Sequence, residues 1–389
     1  MSYLFKHLEH FLYLKEIDAH TLEKDLHLIR AYRKRNLSID LEQKTRQLKI
    51  KLDQQPLRNA YYYHTKQEVQ WEEHLVLSTQ SPSEVSKLLE MTQATDLEYL
   101  HLKLKQACML SAHGAVYQAE DMPDFLTLLA PLLAASAAWL ALPSIAIYHH
   151  CFLMMQQREE EHNFALFKTL LFRHGQLFSK VEVRDLYLMA INFCVRKANQ
   201  NNEQYLYELF DLYKEGLQKE VLLENGILSR FTYHNAIGAG LRTHNYDWTE
   251  RLIVDYKNTL DKKYRESSYS FNLARLEYSR KNYDKALTLL QKSNYRDLLL
   301  NLAAKTLLLK IYFELQEFDL LDSHLEAMLK FIRRKRVIGY HKTNYLNIIH
   351  YTKKIVGLNF YDKEAVHTIK EQLHREKILT EKTWLIQQI

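Results

Sequence analysis

The chain has 389 residues, with only eight glycines and five prolines, and a formal net charge of +6. Tight β-turns draw on those two residues for their backbone angles, so the composition argues against sheets and for long helices joined by short polar corners. A hydrophobic content of 47% with 26% charged residues excludes a disordered chain, and the mild basic balance permits nucleic acid or acidic partners without arguing for them.

At this length one compact core is not expected; the chain should divide into domains or grow as a repeat array. The start, MSYLFKHLEHFLYLKEI, carries charges inside its apolar pattern and lacks a small-residue cleavage site, unlike a secretory signal. Leu4, Phe5, Leu8, Phe11, Leu12 and Tyr13 recur at helical spacing, which predicts a helix belonging to a longer architecture. Helices around 21–34, 40–55 and 58–77 complete an irregular N-terminal region over residues 1–80. Ser81-Pro82-Ser83-Glu84 reads as a capping box with proline at the first helical position, and 78–83 is the expected corner into a regular array of hairpins over 81–389. There 96–120 pairs with 123–140, 143–157 with 161–174, 183–198 with 202–216 and 340–356 with 362–374, while 382–388 forms a short cap.

Cys108, Cys151 and Cys194 are odd in number and 43 residues apart at each step, with no CxxC or paired histidines nearby. That spacing suggests one structural position revisited in successive repeats rather than a disulfide framework or a zinc site. The clearest repeat is FNLARLEYSRKNYDKALTLLQKS, Phe271 to Ser293. Its corner aromatic Tyr283 has counterparts at Tyr246 and Phe318, 37 and 35 residues away. The small-residue slot then runs Cys108, Cys151, Cys194, Ile237 and Ala274, where each side chain should be a small buried hydrophobe between close-packed helices.

Asn272, Leu273, Ala274, Tyr278, Tyr283, Asp284 and Ala286 match the tetratricopeptide pattern, so this stretch resembles a tetratricopeptide repeat. The whole chain resembles uncharacterised helical-repeat proteins of Bacteroidetes bacteria, which close on a Lys-x-Trp-Leu-like end, here Lys382-Thr383-Trp384-Leu385. The resemblance implies an all-α, right-handed α-solenoid of antiparallel helix hairpins, a tetratricopeptide-like superhelix. It also implies further chain ahead of the position of Met1.

Residues 125–157 contain no charged side chain and are long enough to span a bilayer. Pro131, Pro143, His149, His150 and the repeat register instead favour a buried core helix, with no membrane span. His149 and His150 point about 100° apart on a helix and cannot face one ion together. No His-Glu-x-x-His, glycine-rich phosphate loop or nucleophile elbow occurs. The chain is therefore expected to be no enzyme, with no catalytic residues, metal or cofactor.

In a tetratricopeptide solenoid the first helices line the concave face, and exposed residues there bind ligands. In this register they are His234, Arg242, Phe271, Arg275, Tyr278, Lys310 and Phe313, a basic and aromatic set suited to an extended acidic peptide. The two-carboxylate clamp of chaperone-binding members is not matched: His234 and Gly238 replace its Lys and Asn, although Asn272 agrees. The expected function is a cytoplasmic scaffold or adaptor for a protein or peptide. The alternative is RNA or DNA binding through two basic runs, Arg30, Arg33, Lys34 and Arg35 in one and Arg333, Arg334, Lys335 and Arg336 in the other. Their placement at helix C-termini, where cations are favoured, explains both runs without a ligand.

Overall fold

A computed structural model describes residues 2–19, 21–80, 85–117, 124–135, 137–157, 159–200, 202–292, 297–334 and 339–389. They form nineteen α-helices, and the chain divides into two compact units, Met1–Leu222 and Leu223–Ile389. The capping box at Ser81–Glu84, which would mark the start of the regular array, lies outside the described residues.

Unit 1 holds α1 (Ser2–Ala19), α2 (Thr21–Lys34), α3 (Ser38–Gln54), α4 (Ala60–Gln80) and α5 (Ser86–Tyr117). It continues with α6 (Phe125–Ala135), α7 (Pro143–Gln156), α8 (Glu161–His174), α9 (Lys180–Asn199) and α10 (Gln204–Gln218). Leu22, Ile29, Leu48, Leu52, Tyr62 and Val69 make one core of α2, α3 and α4. The apolar residues of α1 follow helical spacing but do not pack inward: Leu4 is 78% and Phe5 62% exposed.

From α5 onward, alternate helices stack, α5 on α7 and α7 on α9, while α8 and α10 pack against α7 and α9 as hairpin partners. Sequence explains where two of these helices start. Pro143 opens α7 at a position whose N–H has no helical partner. At α9 the Ser179 hydroxyl accepts from the Glu182 N–H, while Glu182 reaches back to the Ser179 N–H, a reciprocal cap. Glu182 also accepts from Asn59 Nδ2 at 2.9 Å and Lys105 Nζ at 3.0 Å. Burial would raise its pKa, but the approach of His101 Nε2 at 3.8 Å and the hydrogen bonds from Asn59 and Lys105 outweigh that and hold the carboxyl far below the usual range. One side chain thereby ties the entry to α4, the middle of α5 and the start of α9.

The uncharged stretch splits in two. Helix α7 is core, with Ile145, Ile147, Tyr148, Cys151, Phe152 and Met154 buried. The α6 half corrects the expectation of a buried core: Leu129 is buried, but Leu128 is half exposed and Pro131 stands in the exposed part. Among the described residues, no helix is long and apolar enough to cross a membrane.

Unit 2 opens with a two-stranded antiparallel ribbon, β1 (Leu223–Glu224) and β2 (Ile227–Leu228), with Leu223 opposite Leu228. Asn225 and Gly226 join the strands with φ of 52° and 77°, the left-handed pair that a two-residue hairpin loop needs. This departs from the all-helical reading by one short ribbon. The rest is α11 (Arg230–Arg242), α12 (Tyr246–Asp255), α13 (Arg265–Ser279), α14 (Tyr283–Lys292), α15 (Leu298–Glu314), α16 (Phe318–Arg334), α17 (Gly339–Val356), α18 (Lys363–Arg375) and α19 (Lys382–Gln387). Helices α11, α13 and α15 stack on one another, with α12, α14 and α16 as their partners.

The corners of unit 2 repeat one construction. His244, Lys281 and Gln316 take φ of 58°, 64° and 61°, each two residues before a corner aromatic. The following N–H closes back on the helix: Asn245 to the Gly240 carbonyl at 2.9 Å, Asn282 to Glu277 at 2.8 Å and Glu317 to Tyr312 at 2.9 Å. The corner between α2 and α3 in unit 1 has the same build, with Asn36 at φ 54° and Leu37 N–H bonded to the Tyr32 carbonyl. The inferred slot is real as a burial pattern: Cys108, Cys151, Cys194, Ile237 and Ala274 are all fully buried, on α5, α7, α9, α11 and α13 in turn. The three cysteines are free thiols.

Candidate functional site

Aligning the corners at Tyr283 and Phe318 makes Lys310 of α15 the equivalent of Arg275 of α13, and Phe313 the equivalent of Tyr278. Six of the seven groove candidates, all but Arg242, take part in a set of contacts along α11, α13 and α15. Asn272 Nδ2 donates to His234 Nδ1 at 2.8 Å, and Arg275 Nη1 donates to Asn272 Oδ1 at 3.0 Å and to the His234 carbonyl at 3.3 Å. The guanidinium has no acceptor lone pair, so its bond fixes the Asn272 amide, and the amide in turn requires an unprotonated His234 Nδ1. Burial and the nearby Arg275 charge push the His234 pKa down to about 4.

Arg275 lies over the Phe271 ring at 5.7 Å and makes no ion pair with a carboxylate among the described residues. Room for it comes from the neighbouring repeat, where Gly238 stands in the equivalent position. A Cβ on Gly238 would lie 3.1 Å from Arg275 Nη2. Phe271 itself corrects the expectation of an exposed groove residue: it is 7% exposed and belongs to the core of α13, α14 and α15. Arg242 stands exposed in the last turn of α11, apart from these contacts.

The other end of the face is organised around Glu314, a residue the sequence reading did not single out. Its carboxylate accepts from Tyr278 Oη, from Tyr283 Oη at 2.5 Å, from Lys281 Nζ at 2.8 Å and from Trp384 Nε1 at 2.9 Å. Burial would raise its pKa, but the hydrogen bonds from Lys281, Tyr278, Tyr283 and Trp384 hold it at about 2. Burial, the bond to Glu314 and the charges of Glu314 and Glu381 push the Tyr278 hydroxyl well above the usual phenol range. Trp384 also meets Phe313 edge to face at 5.4 Å, and Lys310 Nζ lies 5.4 Å from the indole and 5.0 Å from the Tyr278 ring. Glu381, one turn before Trp384, pairs with Lys310 Nζ at 2.9 Å. Lys310 and Phe313, read as open to a ligand, are therefore covered by the chain's own segment 381–384. Only the Lys-Thr-Trp-Leu end hinted at this, and spacing alone assigned it a capping role.

The basic runs fall where their helix positions predicted. Arg33 and Lys34 lie in the last turn of α2, and Arg333 and Arg334 in that of α16. Arg30 pairs with Glu68 and Glu72, and Arg33 with Glu72 at 3.3 Å, which commits both to α4. Arg35 donates to the Ala31 carbonyl at 3.1 Å; Lys34, Arg333 and Arg334 are exposed. Lys335 and Arg336 lie outside the described residues.

The His149 and His150 rings stand 5.3 Å apart at 67°, and His150 Nδ1 meets Asn163 Oδ1 at 3.2 Å. Among the described residues, no group of three or more His, Cys, Asp or Glu could hold a metal ion.

Apart from one short ribbon, the described residues form an all-α chain of helix hairpins, and the first helices of its second unit carry the contacts around Arg275, Lys310 and Glu314. No protein-family model and no curated protein sequence matches the chain. Among solved structures it is similar to aspartyl phosphate phosphatase F from Bacillus subtilis, at 14% identity over 91% of this chain and 83% of that one, with a TM-score of 0.40.

Proposed function

We propose that the chain is a non-enzymatic, cytoplasmic scaffold or adaptor that binds a protein or extended peptide along the first helices of unit 2. The same reading takes the hairpins as a right-handed tetratricopeptide-like solenoid, akin to the helical-repeat proteins of Bacteroidetes. One observation carries it: Arg275 and Lys310 occupy equivalent positions in successive repeats, and a segment of the chain with a carboxylate and an indole is already seated on Lys310. Cations spaced along a helical face select acidic ligands, and the neighbouring rings add apolar area.

The test is affinity capture of the tagged full chain from its own cell lysate, with and without nuclease, beside an Arg242→Glu/Lys310→Glu variant. A partner that survives nuclease and is lost from the variant supports the groove. Partners held equally by both chains overturn it. Partners that vanish with nuclease, with nucleic acid co-purifying, would move the function to the exposed cations Lys34, Arg333 and Arg334.

A further inference from the structure

We infer that the face of α13 and α15 recognises a carboxylate followed one turn later by tryptophan, and that Glu381 and Trp384 of the chain itself are its resident occupant. The inference rests on the peptide-binding reading above and names the chemistry of the partner: an acidic peptide segment of the form Glu-x-x-Trp that must displace α19 to bind.

Sequence separation is the first argument. Segment 381–384 does not merely follow α18 in the stack. It reaches back about 70 residues, with Glu381 on Lys310 and Trp384 on Phe313 and Glu314. Lys310 and Phe313 hold the register positions that the peptide-binding reading assigns to the groove, so on that reading α19 occupies the place a ligand would take.

Chemistry is the second. The Glu381 carboxylate meets the Lys310 ammonium, and its charge also reaches Arg275. Trp384 contributes a ring to Phe313 and Lys310 and an N–H to Glu314. The seat is thus a cation for an acid, then an aromatic edge, then a fixed acceptor for an indole N–H. Phenylalanine or leucine would fill the apolar part but offer no N–H to Glu314, which would keep only its bonds from Tyr278, Tyr283 and Lys281. Arg275 makes no ion pair with a carboxylate among the described residues, and the Glu381 charge acts on it without direct contact.

Strength is the third. Helix α19 has six residues, from Lys382 to Gln387, far too few to persist without tertiary contacts. The Lys310–Glu381 pair has Glu381 about one-third exposed and contributes little by itself. Tethering compensates: a segment on a short linker acts at an effective concentration on the order of millimolar. A segment held this way excludes weak ligands and yields to a better match, which makes it a gate of tunable strength.

The experiment uses full-length chains and a fluorescein-labelled peptide of residues 376–389, read by anisotropy. Glu381→Ala/Trp384→Ala vacates the seat and leaves Leu385, which is fully buried, in place. The double variant is expected to bind the peptide at least tenfold more tightly than the unaltered chain. Lys310→Glu added to it should abolish that gain. A peptide with both Glu381 and Trp384 replaced by alanine should bind neither chain.

A second measurement does not depend on the variant folding. Excess peptide added to the unaltered chain should speed hydrogen exchange of the amides in 382–387, because the resident helix is displaced. Equal affinity for both chains, or unchanged exchange at saturating peptide, overturns the resident-occupant inference. A cellular partner lost on Arg242→Glu/Lys310→Glu but held alike with and without Glu381 and Trp384 would overturn it too, while leaving the scaffold reading intact.

Discussion

Trp384 and Glu314 lie 70 residues apart in the chain and are joined by an indole N–H to carboxylate bond of 2.9 Å. The same carboxylate accepts from two tyrosines and a lysine, so one side chain on α15 gathers donors from α13, from the corner before α14, from α14 itself and from α19. A hydrogen bond to a charged, half-buried acceptor contributes more than one between neutral groups, about 1.5–3 kcal/mol. Trp384→Phe keeps most of the ring packing and deletes the donor, so it should destabilise unit 2 by about 2 kcal/mol. Urea unfolding followed by circular dichroism reads that loss directly. A midpoint unchanged from the parent chain would mean that α19 is held by its apolar packing alone.

Acid should weaken unit 2 in two windows. His234 titrates at about 4 in the folded chain against an ordinary 6.5, so the unfolded chain binds more protons between those values. Stability therefore rises with pH across that window; its contribution is complete above 6.5 and lost as pH falls toward 4. The depressed carboxyl of Glu314, about 2 against 4.5, acts with the same sign one window lower, present above 4.5 and lost toward 2. Urea midpoints at pH 7.5, 5.5 and 4.5 should fall in that order, and His234→Gln should flatten the upper step. His324, whose pKa is also lowered by burial, leaves a residual slope in the variant.

Glycine substitutions separate packing from site geometry. A Cβ on Gly240 of α11 would come within 2.3 Å of Thr249 Oγ1 and 3.1 Å of the Trp248 ring, both on α12. Gly240→Ala must part the two helices and should cost about 1–3 kcal/mol. A Cβ on Gly238 meets only the end of the Arg275 side chain, at 3.1 Å. Gly238→Ala should cost well under 1 kcal/mol, yet weaken binding of an acidic peptide severalfold by moving the guanidinium. Melting curves and anisotropy on the two variants give opposite rankings if the face is the binding site.

Periodicity made the helices legible. The bounds of α2, α7, α8 and α17 lie within a residue of those read from apolar spacing, because long amphipathic segments with few glycines leave one solution. The burial slot was legible because repeats reuse a position and close packing restricts it. What stayed hidden depends on contacts distant in sequence. Glu314 looks like any surface glutamate until α19 folds back on it, and Arg30 looks like a free cation until α4 supplies Glu68 and Glu72. Phe271 was assigned to the exposed side from register alone, yet packing of α14 and α15 closes over it. The ribbon at Asn225-Gly226 is different: Asn-Gly is the pair a two-residue hairpin loop needs, yet a reading built on the chain's overall shortage of glycine names no strand there.

The repeated corner offers a stabilising change that leaves the face untouched. Gln316 holds φ at 61°, and its side chain makes no hydrogen bond among the described residues; only its backbone is engaged, the N–H donating to the Phe313 carbonyl at 3.0 Å and the carbonyl accepting from the Phe318 N–H at 3.0 Å. A residue with a Cβ in that left-handed region carries about 1–2 kcal/mol of steric cost, partly offset because glycine loses more freedom on folding. Gln316→Gly should therefore raise stability by about 0.5–1 kcal/mol, seen as a higher urea midpoint for unit 2 with unchanged peptide binding. Asn36→Gly, at the matching corner of unit 1, should gain less, since asparagine enters this region with little strain. Lys281→Gly should gain nothing, because relief at φ 64° is cancelled by loss of the Lys281 bond to Glu314. A stabilisation at Lys281 equal to that at Gln316 would show that this ion pair adds no stability and that Glu314 is held by its tyrosines and Trp384.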